Sequence, residues 1–517
     1  MLWWHRYFQQ DGYDNSRFSS WIRNNFEPNI QLIGATVALG IFSWISYFDL
    51  LRSVILIGQT VWLAVIAVSL EDPRTSGKVR LNMTPRASRL FYLALFMAIL
   101  LVYLVYRGFD PIAYPIRFTI LQLLIVSACP AFLMLARIML QPDENRRQQQ
   151  FIADAKAKLA DVDPFVIGIT GSYGKTTTKA YLGTIMNVTL APTFWPPKSY
   201  NTEMGITREL RESLKPGHKY AIIEMGAYNI GSIKRLCGLT PPKAAIVTAV
   251  GPMHLERFGS VENVYRAKKE LPEAVPAGGL LVLNGDNDYV RKMAGEFTGH
   301  RCVLYGLDSS KGSLDCSGEI REITPNGTKF EINFRGRKFE AATKLFGRPA
   351  VSNLLASFAM AVELGADPEY VIAAIQTIEQ FDNRLEVKRV GGSLQINDAF
   401  NSNPEGFIAA LDVLKELPGE KKILFTPGMI ELGPIQETEN ARVAEYAAKI
   451  CSDVIIVGNV NKKALTDGLK RGGFDEGRIW HVATRDEAFS TLASIRTDRD
   501  VTLIENDLTD LYETTKT

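Results

Sequence analysis

The chain has 517 residues, 46% hydrophobic and 22% charged, which excludes a disordered tail or a collagen-like repeat. Its 58 Lys and Arg against 56 Asp and Glu leave a net charge of +2, so bulk electrostatics gives no case for nucleic-acid binding. The five cysteines (Cys129, Cys237, Cys302, Cys316 and Cys451) lack CxxC spacing, which argues against a disulfide framework or zinc module and for a reducing compartment.

In chain order, four apolar stretches come first: Ile30–Phe48, Leu51–Leu70, Leu90–Tyr106 and roughly 118–140. Each is close to the ~20 residues that cross a hydrocarbon core of ~30 Å, which predicts a four-helix transmembrane domain over residues 1–140. Basic residues set its orientation. Arg6, Arg17 and Arg23 precede the first stretch, Arg74, Lys78, Arg80, Arg86 and Arg89 separate the second from the third, and Arg146, Arg147, Lys156 and Lys158 follow the fourth. The opposite loops hold only Arg52, Arg107 and Arg117, so both termini and all that follows are expected on the cytoplasmic side of an inner, cytoplasmic membrane, in a multi-pass protein surrounded by membrane lipids. Residues 141–163 are polar and Gln-rich, with Phe151, Ala155 and Leu159 at helical spacing, as in an amphipathic connecting helix acting as a spacer.

After Pro164 short β-branched runs alternate with helical periods: Phe165–Thr170, Tyr220–Met225, Ala244–Val250 and Gly279–Asn284. That alternation predicts a parallel sheet flanked by helices. Residues 314–346 alternate polar and apolar around Asn326-Gly327 and Arg335-Gly336, the pattern of antiparallel hairpins inserted in the same domain. A second α/β unit is expected after Phe381, with strands at Leu394–Asn397, Lys422–Phe425, Val454–Val457 and Val501–Ile504.

The strongest local pattern is Ile169-Thr170-Gly171-Ser172-Tyr173-Gly174-Lys175-Thr176-Thr177-Thr178, a buried strand running into a Gly-rich turn and then a helix. Backbone N–H groups of such a turn and of the helix start cradle phosphates. Lys175 is placed to meet β and γ oxygens, and Thr176 to hold Mg²⁺, although a strict P-loop wants glycine where Ile169 stands. ATP and Mg²⁺ are the expected cofactors.

Residues 170–176 resemble the phosphate loop of the Mur ligases, ATP-dependent amide ligases of bacterial peptidoglycan synthesis, whose loop departs from the strict spacing in the same way. The resemblance runs in order from residue 165 to about 460 and is closest to the MurF branch, which adds D-alanyl-D-alanine. It implies a central ATP-binding domain over 164–383 and a Rossmann-like C-terminal domain over 384–517 that closes on ATP about a hinge near Phe381–Arg384. Ser199 to Gly205, with Asn201, Thr202 and Glu203, is similar to the acceptor-contacting segment. Glu224-Met225-Gly226-Ala227 resembles a magnesium-binding strand end, and His254 to Ser260, followed by Ala267-Lys268, a second metal site whose lysine is carbamylated. The resemblance makes Lys175, Lys268, His254 and Glu224 catalytic, and Thr176, Glu224, His254 and carbamylated Lys268 metal ligands. Nucleotide binding falls to Gly171, Ser172, Tyr173, Gly174, Lys175, Thr176, Thr177, Asn353, Arg384 and Asp398. Asn401, Asn403 and Glu431 join the substrate set.

Taken alone, a strand-end Glu224 is more often a surface residue and Lys268 a solvated helix lysine. Three departures matter. The UDP-gripping N-terminal domain of the MurF branch is replaced by the apolar stretches. Gly347-Arg348 is followed by Pro349-Ala350 instead of His-Asn; the C-terminal Gly-Asp-Met-x-Glu-Leu-Gly pattern reads Pro427-Gly428-Met429-Ile430-Glu431-Leu432-Gly433, and a late Lys-Gly-Ser-Arg segment is replaced by Glu505-Asn506-Asp507-Leu508-Thr509-Asp510. The expectation is therefore a membrane-bound ligase coupling an amino acid or small amine to a lipid-linked or membrane-bound carboxylate acceptor. A poly-γ-glutamate-type synthase, an ATP-driven transporter or switch, and an inactive scaffold are the alternatives.

Overall fold

The computed structural model describes residues 1–10, 12–25, 72–74, 80–108, 127–253, 255–399 and 402–506, with positions 38, 41, 54 and 58 besides. It comprises two compact units, one up to Arg147 and one from Gln148.

The first unit gathers helices Leu2–Gln10, Asn15–Asn25 and Pro85–Gly108 with the first turns of the helix Cys129–Val162. Aromatic residues of the first two helices build its core: Phe8 and Phe18 are fully buried beside Leu90, Ala94, Leu133 and Ala136, and Tyr7 stacks on Trp21 at 4.3 Å. The N-terminal arm is thus a packed helical pair and not merely a basic flank. Of the four expected membrane spans, Ile30–Phe48 and Leu51–Leu70 lie almost wholly outside the described residues, as does the first half of the fourth. Among the described residues a single helix, Pro85–Leu104, is long and apolar enough to cross a membrane. Four spans are therefore not supported by the described residues.

In the second unit nine strands, numbered in chain order, form one sheet. Across it run β2 (Thr193–Phe194), β3 (Tyr220–Glu224), β1 (Phe165–Thr170), β4 (Ala244–Val247), β5 (Leu280–Asn284), β6 (Arg301–Gly306), β7 (Cys316–Thr324), β8 (Gly327–Phe334) and β9 (Arg337–Thr343). Neighbours from β2 through to β7 pair parallel, and β7, β8 and β9 pair antiparallel. The hairpins expected around Asn326-Gly327 and Arg335-Gly336 are present, and they extend the parallel sheet. Period-two alternation splits the core between two faces. Ile167 and Ile169 pack with helices Lys175–Thr189, Gly347–Glu363 and Pro368–Gln376, while Val166 packs on the other side with Glu203–Ser213, Ser232–Leu239 and Val261–Ala274. Ala155 and Leu159 of the long helix are buried in that second layer, so residues 148–162 form part of the α/β core and are no spacer.

A six-stranded sheet follows in the order β10 (Glu386–Val390), β11 (Ser393–Asp398), β15 (Val501–Glu505), β12 (Lys422–Thr426), β13 (Asp453–Val457) and β14 (Ile479–Val482), parallel except for β10 against β11. Helices Pro404–Glu416, Gln436–Ala447 and Lys462–Arg471 cover one face and Arg485–Ile495 the other. This is the Rossmann-like layering expected of the C-terminal region.

Candidate functional site

The phosphate loop is shaped by its own backbone before any ligand is considered. Gly171 has φ +154 and Gly174 φ +82, and a Cβ on Gly171 would stand 1.9 Å from Thr248 Oγ1. The room is taken because the loop folds back on the end of β4. Ser172 N donates to Ala249 O at 2.7 Å, Thr248 Oγ1 to Tyr173 O at 2.5 Å, and Ser172 Oγ accepts from Gly251 N at 3.0 Å. Lys175 Nζ donates to Gly171 O at 2.6 Å and Ser172 O at 3.1 Å, so the lysine lies over the turn it follows. Burial, with Arg384 nearby, pulls its pKa below the ordinary lysine range, and the Glu224 charge opposes that.

Register brings the carboxylate to this loop: β3 pairs Glu224 with Ile169 of β1. Glu224 is 1% exposed, not the surface residue its type suggests. Its Oε1 accepts from Thr176 Oγ1 at 3.1 Å and Asn201 Nδ2 at 2.9 Å, and its Oε2 is 3.2 Å from Lys179 Nζ. Ser199 Oγ lies 3.3 Å from Thr176 Oγ1 and accepts from Arg384 Nη2 at 3.2 Å, which ties the first residues of the six-stranded region to the phosphate loop.

Lys268, on helix Val261–Ala274, is 3% exposed and lines one cleft with Ser172, Lys175, Asn201, Gly226 and Tyr228. Burial first and Lys175 second hold its pKa well below the usual lysine value. Among the described residues no three His, Cys, Asp or Glu gather as a metal cage. Thr176 and Glu224 supply oxygen donors only, which fits a Mg²⁺ that draws its remaining ligands from phosphates and water. His254 and Asn401 lie outside the described residues.

Other expected residues take quieter positions. Asn353, on helix Gly347–Glu363, donates from Nδ2 to Thr177 Oγ1 at 3.0 Å, joining that helix to the loop. Thr202 and Asn403 cap helices, accepting from Gly205 N at 3.3 Å and Gly406 N at 3.0 Å, and Glu203 begins the first of these. Tyr173 packs its ring on Gly251, where a Cβ would stand 2.7 Å from its hydroxyl. Asp398 accepts from Leu385 N at 3.0 Å, and Glu431 sits in a turn at φ +61. Sequence reasoning missed Lys179, Asn284 and Asn287. The two asparagines hold the β4 end by bonds to Thr248 O and Val250. Lys179 was findable as the lysine one turn beyond Lys175 on a helix whose buried face is mostly apolar.

A Gly-shaped phosphate loop, a strand-end carboxylate beside it and a second α/β layer reaching in with an arginine define a nucleotide-binding α/β protein of the P-loop type. Two family profiles then match in order, "Mur ligase middle domain" over residues 169–361 and "Mur ligase, glutamate ligase domain" over 383–505. The chain belongs to the Mur ligase family, and its ligase region is MurF-like. It is 32% identical over 305 residues to the UDP-N-acetylmuramoyl-tripeptide–D-alanyl-D-alanine ligase of Mycobacterium tuberculosis, covering 57% of this chain and 58% of the relative. The Escherichia coli ligase of the same name is 30% identical over 284 residues, covering 54% and 62%. The chain thus spans about three fifths of these relatives. MurF from Acinetobacter baumannii shares the fold with a TM-score of 0.62 at 24% identity, over 69% of this chain and 77% of that one. MurF from Thermotoga maritima in complex with ADP does so with 0.61 at 23%, over 70% and 80%.

These relatives correct two expectations. They are named for a UDP-linked peptide acceptor and D-alanyl-D-alanine, so a membrane-bound ligase working on a lipid-linked acceptor is overturned. Placement as a multi-pass inner-membrane protein falls with it, since it rested on that lipid-linked acceptor and the relatives are named for a UDP-linked one.

Proposed function

We propose that this chain is an ATP-dependent carboxylate–amine ligase of the MurF type. A carboxylate oxygen of the acceptor takes the γ-phosphoryl group of ATP and ADP departs. The amine nitrogen then attacks the acyl phosphate, phosphate leaves, and the amine gives up a proton as the amide forms. Residues 164–383 bind nucleotide in this reading, and 384–517 close over it with Arg384. The relatives' pair, a UDP-N-acetylmuramoyl-tripeptide and D-alanyl-D-alanine, is the first acceptor and amine to test.

One observation carries the reading: Lys175, Asn201 and Lys268 line one cleft, with Thr176 and Glu224 hydrogen-bonded at its edge. Negative charge spreads over the phosphoryl oxygens during transfer, and buried cations stabilise it more than solvated ones. Lys175 is placed to supply that charge once it turns from its own loop. Thr176 and Glu224 would hold Mg²⁺, whose part is to neutralise phosphate oxygens. Burial first and Lys175 second lower the pKa of Lys268, which favours the neutral amine that carbon dioxide requires for carbamylation.

The test follows phosphate release and amide product by mass spectrometry from ATP, Mg²⁺, the UDP-linked tripeptide and D-alanyl-D-alanine. Release that needs both substrates, and falls roughly 100-fold or more in Lys175→Ala, supports the ligase. ATP turnover indifferent to acceptor and amine sinks it.

A further inference from the structure

Lys179 has no part in the reaction just described, yet it is among the most completely buried charged side chains, at 1% exposure. Its ammonium makes two contacts at once. Nζ donates to Lys198 O at 2.5 Å and pairs with Glu224 Oε2 at 3.2 Å. Lys198 is held at φ +54, a left-handed conformation that a lysine adopts only under constraint. The next residue, Ser199, meets Thr176 and Arg384, and Asn201 donates to the other oxygen of Glu224. The segment 198–201 is therefore fastened to the phosphate loop and its carboxylate at every second residue or closer, and the strained residue is the one that Lys179 grips.

We propose that Lys179 is a positioning residue that holds segment 198–201 in a strained, acceptor-gripping conformation against Glu224. The inference rests on the reading of Ser199 to Glu203 as the part that meets the carboxylate acceptor. A buried charged donor removed from a backbone carbonyl frees both the bond and the strain it restrains. The loop should then open while the phosphate loop, held by Thr248 and Gly251, keeps its shape.

The experiment compares hydrogen–deuterium exchange of amides 198–202 in the full chain for wild type, Lys179→Met and Lys179→Met/Glu224→Gln, without nucleotide. The double variant removes the carboxylate charge that the single one strands, so it folds even where Lys179→Met does not. Exchange about tenfold faster in the variants, together with an acceptor KM raised about tenfold in Lys179→Met at unchanged ATP KM, is the expected result. Exchange at the wild-type rate overturns it. So does a double variant that returns to that rate, because Lys179 would then be only the counter-ion of Glu224. An unchanged acceptor KM beside fast exchange overturns the assignment to the acceptor. Should the wild type join no carboxylate to any amine, the ligase reading falls, and exchange alone decides the latch.

Discussion

Replacing Glu505 by glutamine should make the protein more stable at alkaline pH and leave it nearly unchanged at pH 5. Strands β11 and β15 pair Asp398 with Glu505, so two carboxyl groups leave the same face of neighbouring strand ends. Glu505 is fully buried, with Oε1 accepting from Ser402 Oγ at 2.5 Å, and burial first and the Asp398 charge second push its pKa well above the usual range. Burial raises Asp398 to about 6 against the Leu385 N–H and Arg384, which both lower it. A carboxyl with a raised folded pKa keeps a proton that the unfolded chain has released. Stability from this pair is therefore full below about pH 4 and is lost as pH rises through 6 and beyond. A carboxyl at about 6 instead of its ordinary ~4 corresponds to ~3 kcal/mol. That is the stability the wild type loses through Asp398 as pH rises, and Glu505→Gln leaves it in place; what the variant recovers is the cost of ionising the buried Glu505. Glutamine preserves the shape and the Ser402 bond while removing one titration and one negative charge. Scanning calorimetry from pH 5 to 9 should show the wild-type Tm falling and the variant pulling ahead by a few degrees at the alkaline end. A flat wild-type profile, or a variant equally displaced at all pH values, would refute the reasoning.

Three further outcomes test the site and its hinge. Gly174→Ala places a Cβ 2.6 Å from Asn353 Oδ1 at φ +82, so the Asn353–Thr177 bond breaks and ADP affinity by titration calorimetry should drop about tenfold; unchanged affinity would contradict the placement. Lys268→Ala should abolish amide formation with no loss of Tm, since it removes a buried amine, and short-chain carboxylates should restore part of the activity; full activity in the variant sinks the role. Asn383 and Leu385 flank Arg384 at φ +59 and +48, so Asn383→Val should cost ~1–2 kcal/mol in urea unfolding while Asn383→Gly changes stability by less than ~0.5 kcal/mol. Equal stability of the two variants would remove the strain from this segment.

Much of the α/β architecture was legible because buried parallel strands read as short apolar runs between helical periods. β1 falls on Phe165–Thr170 as expected, and Arg335-Gly336 marks the β8–β9 hairpin because both residues take the positive φ of +49 and +85 that its two-residue turn requires. Strands β6, β10 and β14 escaped notice for a common reason. Each is polar or mixed, as in Glu386–Val390 with its exposed Lys388 and Arg389, and sits at an edge or begins on an exposed Arg301. The phosphate loop was plain because its chemistry lies in contiguous residues. Lys179 was not, because its meaning comes from Glu224 and Lys198, which only the folded chain brings to it. The lipid-linked acceptor failed differently: it was argued from apolar stretches far from the ligase residues, and no side chain in the cleft ever spoke for a lipid.

Among the described residues the nine-stranded sheet ends in β2 on one side and β9 on the other, and both strands are poor templates for a second copy. At one margin β2 is just two residues long, too short to template an added strand. At the other, β9 turns Lys338 and Glu340 outward along its exposed row. A sheet this wide would otherwise invite end-to-end polymerisation in a crowded cell. Lys338→Val or Glu340→Val removes a charge from that strand without touching the phosphate loop, so light scattering on concentrated protein should rise while nucleotide affinity holds.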